Sequence, residues 1–137
     1  MDVEDLVARF SGCTLPKEEW THQAHLTVGL WHVRHYGADD ALFRLRTGIR
    51  RLNDSHGTPN SATRGYHETI TRAYVMLLRD FLAARPESLE HQVTTLLTSA
   101  VAEKDYLLRF YSSERLMSPE ARAEWVAPDL APLGVAP

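Results

Sequence analysis

Apolar residues recur along this chain at intervals of three and four, and stretches that alternate apolar with polar residues are almost absent. That spacing lays an apolar stripe along an α-helix and none along a strand, so it restricts the chain to helix-on-helix packing. Val3, Leu6, Val7 and Phe10 form the first stripe, closed by Ser11-Gly12. Pro16 suits a first turn that Lys17-Glu18-Glu19 completes. Thr21 then caps a long helix through Tyr36, which Gly37 stops. Asp39 is the expected cap of a third helix with Ala41, Leu42, Leu45, Ile49 and Leu52 inside. Further helices are expected over Tyr66 to Ala84, Ser88 to Ser99 and Lys104 to Tyr111. Ser118 and Pro119 open a last short helix that runs to Trp125.

Prolines after Trp125 predict an extended tail over 126–137, packed on the rest of the chain. The expected fold is all-α: a compact single-domain helical bundle over 1–137, with about five to seven helices and short antiparallel connections.

The 137 residues suffice for a proper core without disulfide staples. A net charge of −3 gives no bulk electrostatic case for nucleic acid or an anionic membrane. No segment approaches the ~20 apolar residues that span a bilayer. The acidic start M-D-V-E-D-L-V is unlike a secretory leader, and the single cysteine, Cys13, fits a reducing compartment as a packed thiol. Together these predict a cytoplasmic protein.

The segment W-T-H-Q-A-H-L-T-V-G-L-W-H-V-R-H-Y holds four of the seven histidines in what otherwise reads as a buried helix. On a wheel of about 100° per residue, His22, His25, Gly29, His32, Val33 and Tyr36 share one side. Only Gln23, Thr27 and Arg34 are left for a wet face. Gly29 leaves room there for another helix or a ligand. In G-Y-H-E-T-I-T-R-A-Y, the expected stripe Ile70, Tyr74, Leu77, Leu78 and Phe81 has His67 in its middle, Thr71 beside it and Glu68 at its flank. Buried polar groups need partners, and the simplest partner for His67 is the His22–His25 edge.

Three readings follow. In the working reading, His22, His25 and His67 ligate a divalent metal (Zn, Fe, Mn or Ni) between helices, with Glu68 as fourth ligand or general base. The metal would activate a water or a substrate oxygen, with Tyr74 or Tyr66 donating the proton. H-x-x-H departs from the better-attested helical spacing H-E-x-x-H. In the second reading no metal is bound, and the same His and Glu side chains line a pocket for a small molecule. They act there as hydrogen-bonding or acid–base groups of an isomerase or cyclase type. In the third, the histidines are satisfied core groups of an interaction module, with a homodimer as one form.

Glu68, Tyr74 and His67 are thus the catalytic candidates. Tyr66, Thr71 and Arg122 are the substrate-binding candidates for a small-molecule substrate.

His32 and His35 lie a turn or more away and read as structural, while His56 and His91 read as loop and surface residues. Trp20, Trp31 and Trp125 read as packing, with Trp20 as a staple before the Thr21 cap. Arg44, Arg46, Arg50 and Arg51 read as a solvated helix face. Arg109, Arg115 and Arg122 read mainly as surface ion pairs, with anion binding as the alternative. The polar loop Ser55 to Gly65 has the length and composition of a site's rim. No Gly-rich phosphate loop, C-x-x-C pair or nucleophile elbow is present.

The segments W-T-H-Q-A-H-L, G-Y-H-E-T-I-T, F-Y-S-S-E-R-L-M-S-P-E-A-R and V-A-P-D-L-A-P-L together resemble a bacterial family of small helical proteins with no established activity. The resemblance runs from Phe10 to the tail. It implies that the tail belongs to the domain and that His22, His25, His67, Glu68 and Arg122 converge in space.

Overall fold

The computed structural model describes residues 2–134, so positions 135–137 of the expected 126–137 tail lie outside the described residues. Among the described residues there are seven α-helices and no strand, and the all-α expectation holds. In chain order they are α1 (Val3–Ser11), α2 (His22–Tyr36), α3 (Ala38–Ser55), α4 (Glu68–Ala83), α5 (Leu89–Leu97), α6 (Ser113–Leu116) and α7 (Pro119–Ala123). Single 3-10 turns lie at Lys17–Glu19, Ala100–Ala102 and Tyr106–Arg109.

The helix starts follow from side-chain capping of otherwise unpaired amides. Thr21 accepts from the Ala24 amide at 3.2 Å, Ser88 from His91 at 3.2 Å, and Ser118 from Ala121 at 3.1 Å. The expected cap at Asp39 is not used. Gly37, at φ +79°, ends α2 and begins α3 at once, which places Asp39 inside the first turn. The expected helix over Lys104 to Tyr111 is also replaced, by the Tyr106–Arg109 turn and then α6. Adjacent Phe110 and Tyr111 are both fully buried there. A continued helix would swing one ring about 100° from the other.

α2 lies at the centre, packed against α1, α3, α4 and α5. Its wet face differs from the wheel's: His25, His35 and Tyr36 are exposed. Thr27, expected on the wet face, is buried, and its hydroxyl donates to the Gln23 carbonyl at 2.8 Å.

The apolar residues gather into two cores. The larger joins Phe10, Leu30, Leu45, Leu52, Leu78 and Leu96 across α1 to α5. The smaller sets Ala73 and Leu77 of α4 against Leu107, Phe110, Tyr111 and Leu116. The segment after α7 is tied to the second core. Thr69 Oγ1 donates to the Glu124 carbonyl at 2.9 Å and accepts from the Val126 amide at 3.1 Å. The Leu130 amide donates to the Phe110 carbonyl at 2.9 Å. Among the described residues, no helix is long and apolar enough to cross a membrane.

Candidate functional site

A cavity of about 630 Å³ lies where the two cores meet. Leu26, Leu45 and Leu78 of the larger core form one side, and Leu107 and Leu116 of the smaller form the other. Leu108 and Met117 line it too and are substantially exposed, so they mark its mouth. The wall is mainly apolar, with polar groups from His22, His25, Thr71, Tyr74, Ser113 and the exposed pair Lys104 and Asp105. Size and lining are those of a small-molecule pocket.

The first turn of α2 supplies the polar edge. His25 Nδ1 donates to the Thr21 carbonyl at 2.7 Å, because a carbonyl can only accept. That bond fixes the tautomer and leaves Nε2, at the far edge of the ring, with a free lone pair. Trp20 stacks on the imidazole at a centroid distance of 3.7 Å. His25 has open surface, but it borders the cavity and the ring is crowded by protein. Burial pulls its pKa down to about 4 against the bond to Thr21, with His22 adding to the depression. The ring is therefore neutral at pH 7. His22, one turn earlier, meets Tyr74 edge-on at 6.3 Å between centroids. Its Nε2 is buried with no hydrogen-bonding partner among the described residues. An unmet buried polar atom of this kind costs about 1–3 kcal/mol. Burial pushes the Tyr74 phenol up to about 12, helped by Tyr106 and Asp105, so it stays a neutral donor.

No family model, curated protein or solved structure matches the chain.

His22, His25, Thr71 and Tyr74 do come together on the cavity wall. His67, Glu68, Tyr66 and Arg122 do not line it, which corrects their expected convergence. α4 begins at Glu68, not Tyr66, and His67 is its N-cap with extended backbone, φ −130°. At a cap the wheel no longer sets side-chain direction. His67 Nδ1 accepts from the Ile70 amide at 3.1 Å and Nε2 donates to the Leu116 carbonyl at 2.8 Å. With both ring nitrogens committed, His67 is not poised as a metal ligand beside His22 and His25. Among the described residues, no group of three or more His, Cys, Asp or Glu side chains could hold a metal ion. Histidine 67 instead fastens Leu116, one wall of the cavity, to the start of α4.

Glu68 is held elsewhere. Arg46 grips it through two bonds, Nε to Oε1 at 2.9 Å and Nη2 to Oε2 at 2.7 Å, and the Tyr66 hydroxyl donates to Oε1 at 2.8 Å. Burial opposes its charge, but these donors outweigh it and keep the carboxyl below the ordinary carboxylate range. A base this well satisfied joins α3 to α4 rather than abstracting protons. Arg46 is thus not simply part of a solvated face. Arg122 donates to the Gly65 carbonyl at 2.8 Å, Arg115 to the Ala127 carbonyl at 2.7 Å, and Arg109 pairs with Glu103 at 3.3 Å. The Thr71 hydroxyl donates to the His67 carbonyl at 2.8 Å and offers only acceptor capacity to the cavity.

The Lys104–Asp105 mouth and the lining role of Trp20 are not legible in the sequence pattern. Trp20 precedes the helical wheel, and the Lys104–Asp105 turn carries no periodic signal.

Burial depresses the pKa of His25, His32 and His67 alike. The unfolded chain then takes up protons first, near the ordinary histidine value of 6.5, while the folded chain resists them. Stability should be full above about pH 6.5 and fall as pH drops toward 4, where His25 titrates. Urea midpoints measured across this range should decline, and His25→Gln should remove part of the slope. A flat profile would show that these rings are not buried in their neutral form.

Proposed function

We propose that this chain binds a small, largely apolar organic molecule in the cavity between its two cores, through hydrogen bonding rather than metal ligation. One observation carries the reading: an apolar cavity of about 630 Å³ has in its wall a histidine, His22, whose buried Nε2 has no hydrogen-bonding partner among the described residues. The engagement of both His67 nitrogens favours this reading over the metal site expected from the sequence. Proton transfer on the bound molecule is the second reading, favoured by the fixed tautomer of His25 and a neutral Tyr74 phenol in the wall of the same pocket.

Gly29 provides the test. A Cβ there would have only Leu78 Cδ1, at 3.1 Å, within 4 Å, and both residues line the cavity. Leu78 can yield into the open space, so Gly29→Leu should fold and fill the cavity. Replacing a helical glycine gains up to about 1 kcal/mol of helix stability. The neutral dye N-phenyl-1-naphthylamine should bind the wild type with one-to-one stoichiometry and rising fluorescence. Gly29→Leu should keep or raise the melting temperature and lose the dye. A wild type that leaves the dye unbound, or a folded variant that binds it unchanged, overturns the proposal.

A further inference from the structure

The cavity also carries information about the charge of its ligand, and this inference rests on the pocket reading above. The apolar wall takes an apolar body, and the polar groups come from α2, from α4 and from the exposed Lys104, Asp105 and Ser113. At the α2 edge, His25 Nδ1 is spent on the Thr21 carbonyl, so Nε2 can only accept. The Tyr74 hydroxyl makes no hydrogen bond within the described residues and can both donate and accept. Neither group brings charge, since His25 is neutral at pH 7 and Tyr74 does not ionise there. The charged residues of the lining, Lys104 and Asp105, are neighbours of opposite sign, exposed at the rim.

We infer that the pocket selects an uncharged amphiphile bearing a hydroxyl, a phenol or alcohol that donates its proton to His25 Nε2 beside the Tyr74 hydroxyl. A carboxylate at the same place would set its oxygens against the lone pair of Nε2, an acceptor facing an acceptor. An ammonium head would find an acceptor but no buried counter-charge. A hydroxyl meets a matched acceptor and keeps its own oxygen free to accept from Tyr74.

Three ligands of one ring system separate these cases: 2-naphthol, naphthalene and 2-naphthoate, titrated calorimetrically at pH 7.5. One net hydrogen bond to an acceptor in the pocket wall should make 2-naphthol bind about tenfold tighter than naphthalene. The anionic 2-naphthoate should bind more weakly than either. His25→Phe retains a ring to stack on Trp20 and should erase the naphthol preference, while His25→Gln, which retains an acceptor, should restore part of it. If 2-naphthoate binds tightest, or naphthol and naphthalene bind equally, the hydroxyl inference fails while the pocket stands. If none of the three binds the wild type, the pocket reading fails with it. The wild-type comparison needs no variant to fold.

Discussion

Replacing Gly65 by alanine should lower the unfolding free energy by about 3 kcal/mol or more, summing backbone strain and overpacking. Gly65 sits at φ +81°, where an L-residue is strained. An added Cβ would also collide with the Pro59 carbonyl oxygen and lie 2.7 Å from Asn60 Oδ1 and 2.9 Å from Asn60 Cα. Two of those three atoms are backbone and cannot step aside cheaply. The collision falls where the polar loop folds back on itself. Asn60 Oδ1 accepts from the Tyr66 amide at 3.0 Å, and the Gly65 carbonyl accepts from Arg122 at 2.8 Å. These bonds place the chain just before α4, from which Tyr66 reaches Glu68 and His67 reaches Leu116. The urea midpoint of Gly65→Ala should drop sharply, and binding of the naphthyl dye should weaken as Leu116 loses its anchor. Asparagine tolerates positive φ better than alanine but carries the same Cβ. Gly65→Asn should therefore be nearly as damaging, and a mild effect would assign the cost to φ alone.

How much of this was legible beforehand depends on what each residue does. α2 was readable to within a residue, because Thr21, a dense apolar run and Gly37 all signal the same helix. The wheel likewise put His22, His25 and Gly29 on one face, and all three line the cavity. For α4 it failed at one position with large consequences. Residues 65–67 are Gly, Tyr and His, with no Ser, Thr, Asp or Asn to mark a cap. Periodicity therefore continues through His67 and points its ring to a face it does not occupy. The same pattern points Glu68 toward the site, whereas a long-range partner, Arg46 on α3, takes both of its oxygens. Local pattern cannot reveal a bond that spans 22 positions of sequence. Nor could it reveal the cavity, which exists because two separate cores meet along α4 without filling the seam.

Gly48→Ala should destabilise the protein by about 2 kcal/mol, since overpacking costs about 1–3 kcal/mol and the helix gain of removing glycine offsets part of it. The Cβ would stand 2.6 Å from both Cε2 and Cζ of Phe10. That ring is almost fully buried, so it can move only by displacing its neighbours. It lies 5.2 Å from the Trp20 ring and 5.7 Å from that of His32, between centroids. Trp20 in turn stacks on His25 at 3.7 Å. A displaced Phe10 therefore presses on the edge of the pocket through one intervening ring, although Gly48 does not line the cavity. The variant should lose dye affinity as well as stability. The mechanism is separable from a general weakening of α3, because Phe10→Leu removes the atoms that collide. Phe10→Leu alone should be destabilising, as it leaves a void beside Trp20. In that background, however, Gly48→Ala should cost little or even stabilise, giving a coupling of about 1–3 kcal/mol between positions 10 and 48 in a double-mutant cycle. Additive free energies would mean that the two side chains do not meet as described, and the link from α3 through Phe10 and Trp20 to His25 would fall with them.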